Sequence, residues 1–190
     1  MKKLLLLPAL ISFAFLADAQ STANSQSVMY NVFKVDVDLG YASPSSGNGT
    51  KAGATFTIEP HYRLSDDFAL GLRIEGAALG YETTNSSGGT KIKASLLTSF
   101  SITGDYYLAN GGFRPFIGGG AGFYTVQAVA GNNESGTANN GRPGSTNFGF
   151  FPRIGFESGH FRFSGAYNVV GNSSSYASVT LGFFLGGGKK

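Results

Sequence analysis

Large apolar residues alternate with small or polar residues along most of the chain beyond residue 30. In the longest such stretch, Ile92, Phe100 and Ile102 share one face, and Ser99 and Thr103 share the other. A period of two residues is the signature of a β-strand. Eight stretches of this kind follow one another, starting near Phe33, Ala54, Phe68, Lys91, Arg114, Phe148, Phe161 and Tyr176. The pattern therefore predicts an all-β chain of eight strands.

The segments between these stretches alternate between short and long. Three are tight turns, at residues 65–67, 109–112 and 158–160. The other four are longer and rich in Gly, Ser, Asn and Thr, at residues 43–51, 80–90, 127–147 and 170–175. Short turns at one rim and long loops at the other are typical of an even-stranded antiparallel barrel. We therefore predict an eight-stranded antiparallel up-and-down β-barrel.

Alternation alone does not say which face points inward, because a soluble lipocalin-like barrel also alternates. No Asp, Glu, Lys or Arg falls on the apolar face of any stretch, and the other face is mostly Gly, Ser, Thr and Ala. Charged residues make up only 13% of the chain, against about 25% in soluble domains. Aromatic residues such as Tyr62, Phe68 and Phe161 flank the tight turns, as in the girdles of membrane barrels. These features favour a transmembrane β-barrel over a soluble periplasmic one.

If the apolar face meets lipid, the few charged residues of the strands line the interior, where they must compensate one another. The tight turns suggest a register that places Glu59 opposite Arg73, Asp105 opposite Arg114, and Glu157 beside Arg162. We interpret this set, with His61 as a hydrogen-bonding member, as a structural network. The predicted network comprises Lys34, Asp36, Asp38, Glu59, His61, Arg63, Arg73, Glu75, Lys93, Asp105, Arg114, Arg153, Glu157 and Arg162.

The N-terminus has the three parts of an export signal. Lys2 and Lys3 precede an apolar stretch of about 13 residues, and Ala17 to Ala19 form a small-x-small cleavage site. This stretch is shorter than the roughly 20 residues of a membrane-spanning helix. We predict a signal peptide at 1–19, a short periplasmic segment at 20–29 and the barrel domain at 30–190. The mature protein would have no helical anchor.

Several segments resemble the small OmpA/OmpW-like outer-membrane β-barrel families. They are Thr103–Leu108, Phe113–Gly122, Pro152–Glu157 and the closing Val179–Phe184. The resemblance spans the predicted barrel, and its motifs are structural. It implies a location in the bacterial outer membrane with lipid as the surrounding partner. The chain departs from these families by continuing past the last aromatic residues through Gly186–Lys190.

Composition excludes several other kinds of site. There is no cysteine, so neither a disulfide nor a Cys-ligated zinc site can form. The net charge of +3 without a basic run argues against a nucleic-acid partner. The glycine run 118–122 lacks the Lys-Ser/Thr of a phosphate-binding loop, and we interpret it as making room for Phe116 and Tyr124. We predict no cofactor and no metal site.

Some eight-stranded outer-membrane barrels are lipid-modifying enzymes, including lipid A deacylases, so the two histidines are candidate catalytic bases. Neither His61 nor His160 begins the His-x-Ser pair of the deacylases. We therefore predict no catalytic residues and a monomeric outer-membrane protein for envelope integrity or surface interaction. Its loop at 127–147 is the expected contact region for an extracellular partner. The alternatives are a narrow porin-like conduit for small or hydrophobic solutes and, less favoured, a lipid-modifying enzyme.

Overall fold

A computed structural model describes residues 29–45, 50–84, 90–128, 145–171 and 174–190, without the side chains of 50, 81–84, 90–94 and 128. The predicted signal peptide at 1–19 and residues 20–28 lie outside this part. No helix in the described ranges is long and apolar enough to cross a bilayer. The strands are β1 (Phe33–Pro44), β2 (Thr50–Arg63), β3 (Phe68–Thr84), β4 (Thr90–Tyr107), β5 (Phe113–Ala128), β6 (Ser145–Ser158), β7 (Phe161–Val170) and β8 (Tyr176–Gly186).

The eight strands form one closed barrel in sequence order. Every strand is antiparallel to its neighbours, and β8 closes the barrel by pairing with β1, as in Val37 opposite Phe183. Closure leaves no unpaired strand edge, which a barrel in lipid requires. The predicted eight-stranded up-and-down transmembrane fold is confirmed.

The strands extend further toward the long loops than the sequence predicts. The β3–β4 ladder continues to Thr84 opposite Thr90, although residues 80–90 were predicted to be a loop. Likewise β5 reaches Ala128 and β6 starts at Ser145, so only 129–144 of the predicted loop 127–147 lie outside the described residues. Once register is fixed, backbone pairing can continue beyond the apolar pattern, which is why that pattern underestimates strand length. We call this rim the loop end and the opposite rim the turn end.

The barrel has its apolar face outside. Ile102 and Phe150 are 63% and 52% exposed, whereas Asp105 between the outward residues of β4 is fully buried. A soluble barrel would gather its large apolar side chains inside and keep its charges in water. The observed polarity is the reverse, so the soluble alternative is wrong.

Aromatic side chains pack together on the outer surface near the turn end. The rings of Phe113, Phe156 and Phe163 follow one another across β5, β6 and β7 at centroid distances of 5.0 and 5.5 Å. Phe161 and Phe183 pair at 4.7 Å across β7 and β8. Tyr and Phe side chains at this level form the girdle that marks a membrane–water interface.

Glycines in the strands make room for large interior side chains, but not in the arrangement expected from the glycine run. A Cβ at Gly155 would lie 2.5 Å from the Phe116 ring, and one at Gly149 would lie 2.8 Å from Tyr124. The run on β5 instead accommodates other groups, since a Cβ at Gly120 would lie 2.8 Å from Phe151. The space for Phe116 and Tyr124 is provided by glycines of the neighbouring strand β6 and not by the glycine run on their own strand.

The C-terminal residues turn back across the turn end. Gly186 and Gly187 have φ angles of 76° and 67°, a left-handed conformation that glycine adopts without steric cost. Tyr30 forms an isolated bridge with Lys189, and the Lys190 amide donates to the Met29 carbonyl at 2.9 Å. We call these paired segments, residues 29–31 and 188–190, the terminal clasp.

Candidate functional site in the barrel interior

The inward positions of the strands bring the predicted charged residues together inside the barrel. Thirteen of the fourteen are buried, none more than 4% exposed; the side chain of Lys93 lies outside the described part. These thirteen are Lys34, Asp36, Asp38, Glu59, His61, Arg63, Arg73, Glu75, Asp105, Arg114, Arg153, Glu157 and Arg162.

Arg153 on β6 connects carboxylates from two other strands. Its Nη1 and Nη2 donate to the two oxygens of Glu59 on β2, both at 2.7 Å. Its Nε and Nη2 donate to the two oxygens of Asp105 on β4, at 2.7 and 2.9 Å. Such bidentate charge-assisted pairs are the strong class of protein hydrogen bonds. Arg153 therefore ties three strands together across the interior.

Arg162 on β7 extends the network toward the turn end. Its Nη2 donates to Asp105 at 2.7 Å and its Nη1 to Glu157 at 2.8 Å. Its Nε lies 3.3 Å from Asp36. Glu157 also accepts from Lys34 and, at 2.7 Å, from the Tyr107 hydroxyl. We call Lys34, Asp36, Glu59, Asp105, Arg153, Glu157 and Arg162 the central ion-pair network.

One of the three predicted pairings is wrong, and another is correct in register although its two side chains take other hydrogen-bond partners. Glu59 lies opposite Arg73, since Ile58 is opposite Ile74 and His61 is opposite Gly71. Arg73 donates to its strand neighbour Glu75, while Glu59 is held by Arg153. Asp105 lies opposite Gly118, because the β4–β5 connection is wider than a tight turn and shifts the register. The Leu108 amide donates to the Pro115 carbonyl at 2.8 Å. The connection closed by this hydrogen bond therefore covers residues 109–114 and is longer than the predicted turn at 109–112.

The third predicted pair is present, and Arg114 takes a different partner from the expected one. Glu157 and Arg162 are direct neighbours across β6 and β7 and are hydrogen-bonded. Arg114 aligns with Glu157 rather than Asp105, with its Nη1 3.9 Å from a Glu157 oxygen. Glu157 therefore receives cations from several directions.

The two histidines have different surroundings. His61 is buried, with Nε2 2.8 Å from Asp36 and 3.3 Å from Glu59. His160 lies in the β6–β7 turn, where its exposed ring stacks on Phe184 at 5.5 Å. His61 thus sits between two carboxylates of the interior.

Toward the loop end, the interior becomes apolar. Tyr176 donates to Glu75 at 2.5 Å, and beyond this pair the packed side chains carry few charges. We call the buried cluster there the inner apolar layer: Ala42, Ala77, Leu79, Leu97, Tyr124, Phe151, Val170 and Tyr176.

The sequence reading did not identify the inner apolar layer as a unit. Its signal is the pairs of adjacent apolar residues, such as Leu96-Leu97 and Phe150-Phe151, that interrupt strict alternation. In each pair one residue is exposed and the other buried. Adjacent apolar residues in a strand therefore mark positions where the interior is itself apolar.

The described interior is filled and balanced in charge. It holds six buried cations, Lys34, Arg63, Arg73, Arg114, Arg153 and Arg162, and six buried acids, Asp36, Asp38, Glu59, Glu75, Asp105 and Glu157. Eight-stranded barrels are narrow enough for side chains to fill them. The interior is thus a polar core closed by an apolar layer.

A closed eight-stranded barrel with hydrocarbon side chains outside and ion pairs inside defines a transmembrane β-barrel. Solved structures with this fold include Neisserial surface protein A, at 17% identity and a TM-score of 0.50, over 82% of this chain and 96% of that one. The outer-membrane protein OprG from Pseudomonas aeruginosa aligns at 13% identity and TM-score 0.48, over 87% and 97% of the two chains. Ail of Yersinia pestis aligns at 14% and 0.48, over 80% and 98%. No protein-family model and no curated protein sequence matches the chain.

Proposed function

We propose that the chain is an integral outer-membrane protein without catalytic activity, which serves envelope integrity or surface interaction. The observation that carries this proposal is the polarity of the barrel. Its outer side chains, such as Leu72, Ile102 and Ile154, need a hydrocarbon surrounding, while its ion pairs are enclosed. A barrel of this polarity would aggregate in water.

The proposed orientation follows from the two rims. After export through a signal peptide at 1–19, the tight turns and the terminal clasp would face the periplasm. The long loops would face outside, as in bacterial outer-membrane barrels. The segment 127–147 then supplies the contact region for an extracellular partner.

Membrane fractionation with gel mobility tests the location and the fold together. We expect the protein in the outer-membrane fraction, with an unboiled SDS sample that migrates differently from a boiled one because the closed barrel resists detergent. Recovery in the soluble periplasm, or identical mobility before and after boiling, would contradict the proposal.

Epitope insertion tests the orientation. A tag between residues 131 and 132 should bind antibody on intact cells, whereas the matched tag between Gly111 and Gly112 should bind only after the outer membrane is permeabilised. Labelling of the turn tag on intact cells would reverse the proposed topology.

The surroundings of the histidines support the absence of catalysis. A Ser or Cys nucleophile needs a base within hydrogen-bond reach, but the groups next to His61 Nε2 are the carboxylates of Asp36 and Glu59. His160 is stacked on Phe184 at the opposite end from the long loops. We therefore assign His61 to the interior network. Loss of a measured lipase activity on replacing both histidines would refute this assignment.

A further inference from the structure

The turn end contains a pocket that touches the central ion-pair network only at Glu157. Its volume is about 240 Å³. Arg114 and Glu157 lie among its lining residues, with Lys189 and His160 at the rim and the rings of Tyr30 and Phe184 forming walls. Gly111, Gly112, Gly159, Gly187 and Gly188 complete the lining. Glycines leave main-chain groups accessible and take up little of the space.

Arg114 has unused capacity to bind an anion. Its guanidinium lies over the rings of Tyr30 and Tyr107, at 3.9 and 4.1 Å, which holds it in place. Its Nη2 donates to the Asp66 carbonyl at 2.5 Å and to Asn110 at 3.4 Å. Its Nε has no hydrogen-bond partner although the side chain is buried.

The carboxylate nearest to Arg114 is already committed elsewhere. Glu157 approaches Arg114 only to 3.9 Å, and it accepts hydrogen bonds from Lys34, Tyr107 and Arg162. Arg63 lies 3.5 Å from the same carboxylate. Glu157 is thus shared among several cations and leaves Arg114 without a close negative partner.

Lys189 adds a second cation at the rim. Its ammonium lies 5.9 Å from the Tyr30 ring centroid, and it forms no ion pair with any residue in the described ranges. The terminal clasp holds this residue beside the pocket, since Tyr30 and Lys189 are bridge partners. An anion in the pocket would therefore have two cationic side chains, Arg114 and Lys189, in the lining around it.

We propose that this pocket binds the free carboxylate end of a short peptide with small side chains. The unpartnered Nε of Arg114 can donate a charge-assisted hydrogen bond to a carboxylate oxygen, and the rings of Tyr30 and Phe184 with the glycines of the lining suit a small apolar side chain next to it. The proposal goes beyond the proposed function. That function determines only that the periplasm supplies the peptide, and binding to the purified barrel does not depend on it.

Titration calorimetry on the refolded full chain in detergent tests this site. The probe is N-acetyl-alanyl-alanine, and the matched control ligand is its C-terminal amide. We expect saturable binding of the acid and at least about tenfold weaker binding of the amide, because the amide forfeits the charge-assisted hydrogen bonds. Equal binding of acid and amide, or no saturable heat with the acid, would overturn the proposal.

Two variants locate the binding without relying on Arg114, which supports the fold. Gly112→Leu places a side chain where a Cβ meets no atom within 4 Å, so it should fill the pocket and abolish binding. Lys189→Gln alters an exposed residue and should weaken binding severalfold. The control is Gly165→Leu, on the outward face of β7, where a Cβ also meets nothing within 4 Å; it should change affinity less than twofold.

The variants also define what would refute the site. Unchanged affinity in Gly112→Leu would place the peptide elsewhere on the molecule. Inorganic phosphate that displaces the peptide at equal concentration would show a general anion site and refute recognition of a peptide end. A folded Arg114→Gln variant, judged by heat-modifiable mobility, should bind at least about tenfold more weakly, and full binding by it would refute the role of Arg114.

Discussion

Arg153 is bound on two sides by carboxylates inside the barrel. It makes four hydrogen bonds to Glu59 and Asp105 and is almost fully buried. Removing one partner of a buried ion pair is costly because it leaves charges without compensation. The stability of the barrel should therefore be sensitive to a substitution at this position.

We expect Arg153→Met to lower the free energy of unfolding by about 3–5 kcal/mol. Urea titration of the barrel refolded into lipid vesicles measures this change. Arg73→Met is the matched control, since its partner Glu75 keeps the hydrogen bond from Tyr176 and the loss should be smaller. The double variant Arg153→Met/Glu59→Gln should recover part of the loss. Equal costs for the two single variants would contradict the central role of Arg153.

Leu72 tests the outer surface. It projects outward from β3 and is 44% exposed. It lies four residues along the strand from the girdle residue Phe68, or roughly 13 Å at the usual rise of a β-strand. We expect Leu72→Arg to destabilise the barrel in vesicles by about 2–4 kcal/mol, as for a cation near the bilayer midplane. Leu64→Arg, at the turn-end rim, should cost about 0–1 kcal/mol. Similar small values at both positions would mean that the outer face of β3 meets water.

At the scale of strands, the sequence determines which face is which. Hydrocarbon outside excludes charge, so the outward positions of β1 and β4 are recognisable without knowing the register. The interior holds both charged and apolar side chains, so the alternation of apolar and polar residues does not show which inward positions are apolar. Leu97 and Phe151 therefore pass unnoticed until the fold shows them packed together.

The pairing of charges within the barrel could not be read from neighbouring strands alone. Arg153 reaches Glu59 from β6 to β2, and Lys34 reaches Glu157 from β1 to β6. These contacts cross the interior and depend on the tilt and stagger of the closed barrel. A hairpin register describes adjacent strands only, so it places Glu59 opposite Arg73 correctly but does not reveal that Arg153 is the hydrogen-bond partner of Glu59.

Two glycines test how firmly the strand ends are held. Gly159, in the β6–β7 turn, has φ 60° and open space around a Cβ, so Gly159→Ala should cost only the backbone strain of about 1–2 kcal/mol. Gly187 has φ 67°, and a Cβ there would lie 2.7 Å from Lys34 Cβ. Gly187→Ala should therefore cost more in the same urea titration. Equal costs would indicate that the terminal clasp is loosely held.

At the scale of the molecule, two successive layers close the interior. The central ion-pair network lies on the turn-end side of the inner apolar layer, and the side chains of both are buried. The arrangement is a plug built from the strands themselves.

Planar-bilayer recording tests the closure and the conduit alternative. We expect no stable single-channel steps from the native protein. Leu97→Gly should conduct no better, because the arginines of the network remain beneath the enlarged space. Stable steps from the native protein that change in Arg153→Met would support the narrow conduit instead.

The hydrogen bond between Lys190 and Met29 has a consequence for how the chain could be rewired. Because the first and last described residues finish side by side, a short linker could fuse them, and new termini could be cut between Ala128 and Ser145. Such a circular permutant would run from β6 through β8 into β1 and on to β5 with every ladder intact. Because the barrel is closed, any strand could then be the first in the sequence without a change in which strands are neighbours.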